Sequence, residues 1–149
     1  MAVSSIVRLR AADLAQLENL LRRNNLPAQD CAQQARNFCG IFDDDDLIAA
    51  GGLEPAANDA LLRSVVVHEQ YRSRGLARSI IEYLIRRADS EDRETVYLLT
   101  ETAGAYFENL GFKRIDRIEV PSAIANTRQF ASLCPDTASC LEMTFAAPR

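Results

Sequence analysis

The sequence predicts a mixed α/β fold, a three-layer α/β/α arrangement in which one sheet carries helices on both faces. Three stretches lead to this. LLRSVVVHEQYRSRGLARSIIEYLIRR puts an apolar, Val-rich strand (61–67), a short polar turn and an amphipathic helix in immediate succession. TVYLLT, at 95–100, is β-branched and apolar, as a buried strand is. Residues 102–110 follow, with Ala103, Tyr106, Phe107 and Leu110 on one side of a helix and Gly111 as its C′ residue.

The other elements follow in order. Residues 4–10 alternate (Ile6, Arg8 and Arg10 against Val7 and Leu9) and read as a first strand. Asp13 is a helix N-cap; Leu14, Leu17, Leu20 and Leu21 form a helical stripe to Arg23, which Asn24, Asn25 and Pro27 end. A second short helix covers about 29–37. Residues 38–42, the acidic run 43–46 and residues 47–53 read as a hairpin. The acidic run lacks the Gly and terminal Glu of a calcium loop, so it reads as a solvated turn. Gly51 and Gly52 mark a bulge or a close backbone approach; Glu54 and Pro55 end this strand, and 56–59 is the next turn. In the central helix Leu76, Ile80, Ile81, Leu84 and Ile85 make one apolar stripe at helical period. Residues 88–93 are a charged loop, 112–120 a strand, 121–133 a helical segment closed by Pro135, and 139–145 the last strand. No repeat, low-complexity stretch or linker divides the chain, so 1–149 reads as a single domain.

Composition narrows the ligand. The net charge of −4 argues against a nucleic-acid surface, and no apolar run approaches the roughly 20 residues that span a bilayer. The N-terminus lacks a continuous apolar core of the signal-peptide kind, which predicts a cytoplasmic protein. Cys31, Cys39, Cys134 and Cys140 are then expected to be reduced thiols. None shows C-x-x-C spacing and His68 is the only histidine, so no metal site is expected.

Against that acidic background the turn after residue 67 is locally positive. The first N–H groups of a helix have no acceptor inside it, and the macrodipole places about half a positive charge there. Gly75 and Ala77 leave room for a phosphate to reach those amides, and Arg72, Arg74 and Arg78 add charge-assisted hydrogen bonds. The stretch therefore reads as a pyrophosphate cradle, or else as an Arg-rich turn with solvated charges. A Walker loop is excluded by the missing Gly-Lys-Ser/Thr, and a dinucleotide fingerprint by the single glycine.

Arg72-Ser73-Arg74-Gly75-Leu76-Ala77 fits Arg/Gln-x-x-Gly-x-Gly/Ala and resembles the pyrophosphate loop of the GNAT superfamily of acyl-CoA N-acyltransferases. Ala105-Tyr106-Phe107-Glu108-Asn109-Leu110-Gly111-Phe112 is similar to that family's A-x-Y-E-x-L-G-F segment. More narrowly, residues 98–140 resemble the small N-acetyltransferases encoded in bacterial arsenic-resistance operons. The resemblance implies the GNAT fold across nearly the whole chain, with acetyl-CoA as co-substrate. Its pantetheine arm would lie between two splayed parallel strands, 61–67 and 95–100, on backbone groups of Val65 and Val67, with Val66 counted among the cofactor-binding residues. Arg72, Ser73, Arg74, Gly75, Leu76, Ala77 and Arg78 would hold the pyrophosphate.

Acylation of an amine by a thioester needs a neutral amine, a polarised carbonyl and a proton for the departing thiolate. Many GNAT enzymes use a strand carboxylate as base and a late-helix Tyr as acid. This sequence has Phe107 at that Tyr position, with Tyr106 one helical step, about 100°, away. Glu54 and Glu101 are the carboxylates near strand ends; either is a candidate base or an exposed strand-end charge, and Tyr106 a candidate acid or a packing residue. Positioning alone, with solvent carrying the protons, is the third option. Arg63 shares strand parity with Leu61, Val65 and Val67, so it is expected to face the reaction centre and bind an acid group of the acceptor, unless a neighbouring acid pairs with it.

The resulting expectation is an N-acetyltransferase acting on a small amine, amino-acid-like or arsenic-related, with homodimerisation possible for the fold. Two alternatives stay open: a non-catalytic acetyl-CoA-binding regulatory module, and a thiol-based carrier of trivalent arsenic.

Overall fold

A computed structural model describes residues 3–145, in which the apolar pattern of the chain is satisfied on both sides of one sheet. The strands are β1 (Val7–Arg8), β2 (Phe38–Asp43), β3 (Asp46–Ala56), β4 (Asp59–Val67), β5 (Thr95–Thr100), β6 (Lys113–Ile115) and β7 (Ser139–Thr144). The helices are α1 (Leu14–Arg23), α2 (Cys31–Gln34), α3 (Leu76–Ser90), α4 (Gly104–Asn109) and α5 (Ser122–Ala125). Among the described residues the sheet order is β1-β2-β3-β4-β5-β7-β6. Neighbours are antiparallel except β4 and β5.

The central helix α3 buries Ile80, Ile81 and Leu84 completely, in one cluster with Ile48, Ala49 and Leu62. On the opposite face α1 packs Leu17, Leu20 and Leu21 with Phe38, Ala50 and Val66. Adjacent residues of β3, Ala49 and Ala50, thus serve different layers, as strand alternation requires. Each such aliphatic side chain contributes about 1.5–3 kcal/mol when fully buried. A third cluster joins Ile124 of α5 and Phe130 to Leu61, Tyr97 and Cys140. The mixed sheet with helices on both faces is therefore observed.

Gly51 is the close approach anticipated above: a Cβ there would lie 2.6 Å from Ile80 Cγ2, so its absence lets α3 seat on β3. The bulge itself sits on the neighbouring strand. Ala50 pairs with Val66 but Gly52 with Arg63, so β4 carries one surplus residue, and Ser64 takes φ +58°.

Several expectations are corrected, mostly where short elements were read as long ones. The 4–10 strand contracts to β1, because Leu9 turns into the core as Arg10 and Asp13 close a 3₁₀ turn. Asp13 Oδ2 accepts the Arg10 amide at 2.8 Å, so the side chain holds that turn and makes no cap bond to α1. Residues 29–37 divide into α2 and a 3₁₀ turn, and 121–133 into α5 and a π turn, Gln129–Leu133. Strand 112–120 ends at Ile115, where Arg117–Glu119 form a 3₁₀ turn, while α3 runs on through residues read as loop. The acidic hairpin turn is not wholly solvated: Asp43 is buried and accepts the Tyr71 hydroxyl at 2.5 Å.

Candidate active site

The site begins where β4 and β5 part. They pair only at Ala60 with Val96 and Leu61 with Tyr97, and beyond that the strands separate. The gap opens a cavity of about 940 Å³, walled by Leu62 to Val65 on one side and Leu98 to Thr100 on the other. Its size is that of small-molecule and cofactor sites. The His68 amide reaches the Ile48 carbonyl at 2.7 Å, so by alternation Val66 bonds towards β3 and Val67 directs its main-chain groups to the open side. Val65 follows the same alternation beyond the bulge. The side chains of Val65 and Val67 pack with the α3 layer and that of Val66 with the α1 layer.

Ala77, in the first turn of α3, is itself a cavity wall. Before it the chain makes two left-handed turns, at Ser73 (φ +65°) and Gly75 (φ +78°), and space around Gly75 is open. The first bond of the helix runs from the Ser79 amide to the Gly75 carbonyl at 3.1 Å, which leaves the amides of Leu76, Ala77 and Arg78 without a helical acceptor. Arg72 is the brace of this loop, with its guanidinium bonded to the Asn24 side chain at the end of α1 and to the Val67 carbonyl. Arg74 stacks over Tyr71 at 5.2 Å, and exposed Arg78 pairs with Glu82 at 3.3 Å. The result is an open turn with three amides that lack a helical acceptor and two surface guanidinium groups beside them.

Arg63 behaves differently from the expectation. The surplus residue at Ser64 reverses strand parity, so Arg63 leaves the face of Val65 and Val67 and is 3% exposed on the other. Both ends of its guanidinium hold Asp30, at 2.5 Å each, and Nη1 also reaches Glu54 Oε1 at 3.0 Å. The Phe38 ring lies beneath it at 5.6 Å. Burial pushes the Asp30 carboxyl up, but the Arg63 hydrogen bonds and charge, helped by Arg128, hold it below the ordinary value. Arg63 touches the cavity wall, yet its charge is already met. Glu54 is consumed by the same cluster and is not a cavity-lining residue among those described.

Tyr106 and Glu101 do line the cavity. Tyr106 is 40% exposed with its ring edge-on to Phe107 at 5.6 Å, whereas Phe107 is buried and edge-on against Phe112 at 5.6 Å. Glu101 is exposed just past the end of β5. Burial pushes the thiols of Cys31 and Cys140 up to about 11 and that of Cys39 to about 12, and raises that of Cys134. At neutral pH these sulfurs are protonated, and no group of three metal-ligating side chains occurs among the described residues.

The family model described as an acetyltransferase (GNAT) domain matches residues 34–114, from α2 through β6 and across the whole cradle. The chain belongs to the GNAT acetyltransferase family. Solved structures share the fold at low identity. N-acetylglutamate synthase from Neisseria gonorrhoeae, complexed with coenzyme A and N-acetyl-glutamate, superposes with a TM-score of 0.84 at 16% identity; the match covers 99% of this chain and 36% of that one. This chain thus spans little more than a third of the gonococcal synthase. Rv2747 of Mycobacterium tuberculosis, in complex with CoA and NLQ, gives 0.81 at 16% identity, covering 96% and 100%. The ribosomal-protein-S18-alanine N-acetyltransferase of Escherichia coli gives 0.76 at 18%, covering 99% and 97%. No curated protein sequence matches significantly.

Within this GNAT site, sequence reasoning missed Asp30, Asn24 and Gln129. Asp30 lies 33 residues from Arg63 and Asn24 lies 48 from Arg72, separations over which no local pattern links a pair. The one available signal for Asp30 was the need of an arginine on an apolar strand for a counter-charge.

Proposed function

We propose that the protein transfers the acetyl group of acetyl-CoA to the amine of a small molecule. The single observation behind this is the continuity of the strand gap with the open amides at the start of α3, in a chain of the GNAT family. One extended ligand with a diphosphate at one end and a thioester at the other matches both halves. In this reading the amides and side chains from Arg72 to Arg78 hold the diphosphate. Main-chain groups of Val65 and Val67 run alongside the pantetheine arm, with Val66 between them bonded to β3, and no resident metal is needed. The acetyl carbonyl then lies in the cavity within reach of Tyr106, which would protonate the leaving thiolate, and Glu101, which would receive the amine proton through water. Glu54 has the weaker claim as base because Arg63 already binds it.

The acceptor in this proposal is a small amine, amino-acid-like or arsenic-related, as the resemblance of residues 98–140 to arsenic-operon acetyltransferases suggests. The bound small molecule named for the gonococcal structure, N-acetyl-glutamate, fits an acceptor of this size. Calorimetry with coenzyme A, followed by thiol release from acetyl-CoA with a panel of amines, tests the proposal. Binding with amine-dependent release is expected. Binding without release from any amine would leave a regulatory acetyl-CoA binder, and no binding would remove both readings.

A further inference from the structure

The chain leaves α1 through a fixed exit. Asn25 turns into the left-handed region at φ +59°; its amide donates to the Arg22 carbonyl at 3.1 Å and the Leu26 amide to that of Leu21 at 2.9 Å. These are the paired bonds of a Schellman motif. Leu20 and Leu21 are buried in the core, so the exit is fastened to the body of the protein. Asn24 stands on that platform. Its backbone amide donates to the Leu21 carbonyl at 3.1 Å, and its Nδ2 to the Leu20 carbonyl at 2.8 Å, which sets the way the carboxamide points. The Oδ1 left over accepts from Nη2 of Arg72, 48 residues further on.

Arg72 is exposed, and an exposed arginine ordinarily wanders among many rotamers. Two bonds to two different elements, Nη2 to Asn24 and Nε to the Val67 carbonyl at 3.3 Å, settle the plane of this guanidinium before any ligand arrives. Asn24 is a wall residue of the cavity, and Val67 directs its main-chain groups to the open side of β4. The guanidinium between them therefore lies at the cavity's edge, on the same turn as the free amides of Leu76, Ala77 and Arg78. A guanidinium carries five N–H donors. With Nε and one hydrogen of Nη2 spent, both hydrogens of Nη1 remain without a partner among the described residues. Arg74 and Arg78, on an aromatic face and an i,i+4 acid, have to be ordered when a ligand binds; Arg72 does not. Fixing a binding group in advance removes an ordering cost from association. We infer that Asn24 is a positioning residue for coenzyme A, holding Arg72 so that its remaining donors meet the diphosphate. This rests on the acetyltransferase reading above and adds to its donor site a residue that acts through another.

The test is a double-mutant cycle read by calorimetry on the wild-type chain, Asn24→Ala, Arg72→Met and the double variant. The probes are coenzyme A and adenosine 3′-phosphate 5′-diphosphate, which lacks the pantetheine arm. Thermal melts followed by circular dichroism report any loss of the helix end separately. Asn24→Ala is expected to weaken both probes about fivefold when Arg72 is present, the scale of one side chain left to be ordered on binding. Where residue 72 is already Met the same change should cost less than about twofold, since the group that Asn24 holds is gone. If Asn24 only closes α1, the loss is equal in both backgrounds, and that result overturns the inference. Unchanged affinity in Asn24→Ala overturns it too, as does a weakening seen with coenzyme A and absent with the arm-free probe. Asn24→Gly, a residue type that helix C-termini accept, carries the same cycle if the Ala variant misfolds. No coenzyme A binding by the wild type overturns the reading beneath.

Discussion

At Arg63 one buried guanidinium meets two carboxylates, that of buried Asp30 and that of Glu54. Such a cluster adds little net stability over a well-packed apolar one, but removing a single member is costly because the others stay buried. Asp30→Asn is therefore expected to lower unfolding free energy by about 3–5 kcal/mol at neutral pH, read by chemical denaturation. The pH dependence has a definite sign. Asp30 is held below its ordinary 3.8 in the folded chain, so its contribution is full above that value and fades as pH falls through the depressed one. Acid unfolding below about pH 3.9 should thus be shallower in Asp30→Asn than in the wild type; an unchanged acid slope would show that the pair is not what acid disrupts. Tyr106 carries the other prediction at this scale. If its hydroxyl protonates the thiolate, Tyr106→Phe should lower kcat about 100-fold, within the usual range for general acid catalysis, with coenzyme A affinity intact. Full activity in that variant would hand the proton to solvent.

Among the elements, the start of α3 combines geometry and charge in one place. Gly75 at φ +78° faces open space, so its role is conformational and not one of packing. Arg74 and Arg78 are surface groups with shallow attachments, to an aromatic face and to an i,i+4 acid, and can swing to a diphosphate without disturbing the core. Reversing both, Arg74→Glu with Arg78→Glu, is expected to weaken coenzyme A binding tenfold or more in calorimetry at low salt. The difference should narrow as ionic strength rises, since exposed charges are screened beyond about 10 Å at 0.1 M. Arg72 belongs to a different class: it ties the loop to α1 through Asn24, so its loss would displace the cradle as well as discharge it. The stripe of α3 and the apolar runs of β4 and β5 were legible because each repeats one signal over many residues. The short turns around Arg10, Ile115 and Thr127 were not, because three or four residues carry too little periodicity to say where the chain stops being regular.

Across the whole molecule, the sheet, its two helical layers and the Arg-rich turn that opens α3 could be read from local pattern. What could not be read is what depends on pairing between distant segments. Asp30 on Arg63, Tyr71 on Asp43 and Cys134 on Gln129 are contacts of tertiary structure, and only the first answers a need visible in the sequence, a counter-charge for a buried arginine. The parity of Arg63 failed for a related reason: counting alternate residues assumes a regular strand, and Ser64 breaks it. That one irregularity gives β4 two halves that are out of phase, the first reaching both β3 and β5 and the second paired with β3 alone, its other edge open. The Ser64 hydroxyl accepts from Arg63 Nε at 3.3 Å, so exchanging Ser64 for glycine, which tolerates the left-handed region, should cost no more than that one long hydrogen bond. Its presence is another matter: shortening the chain by one at this point would swap the loyalties of Val65, Val66 and Val67 between the helical layers. At this position the protein tolerates a change of spelling better than a missing letter.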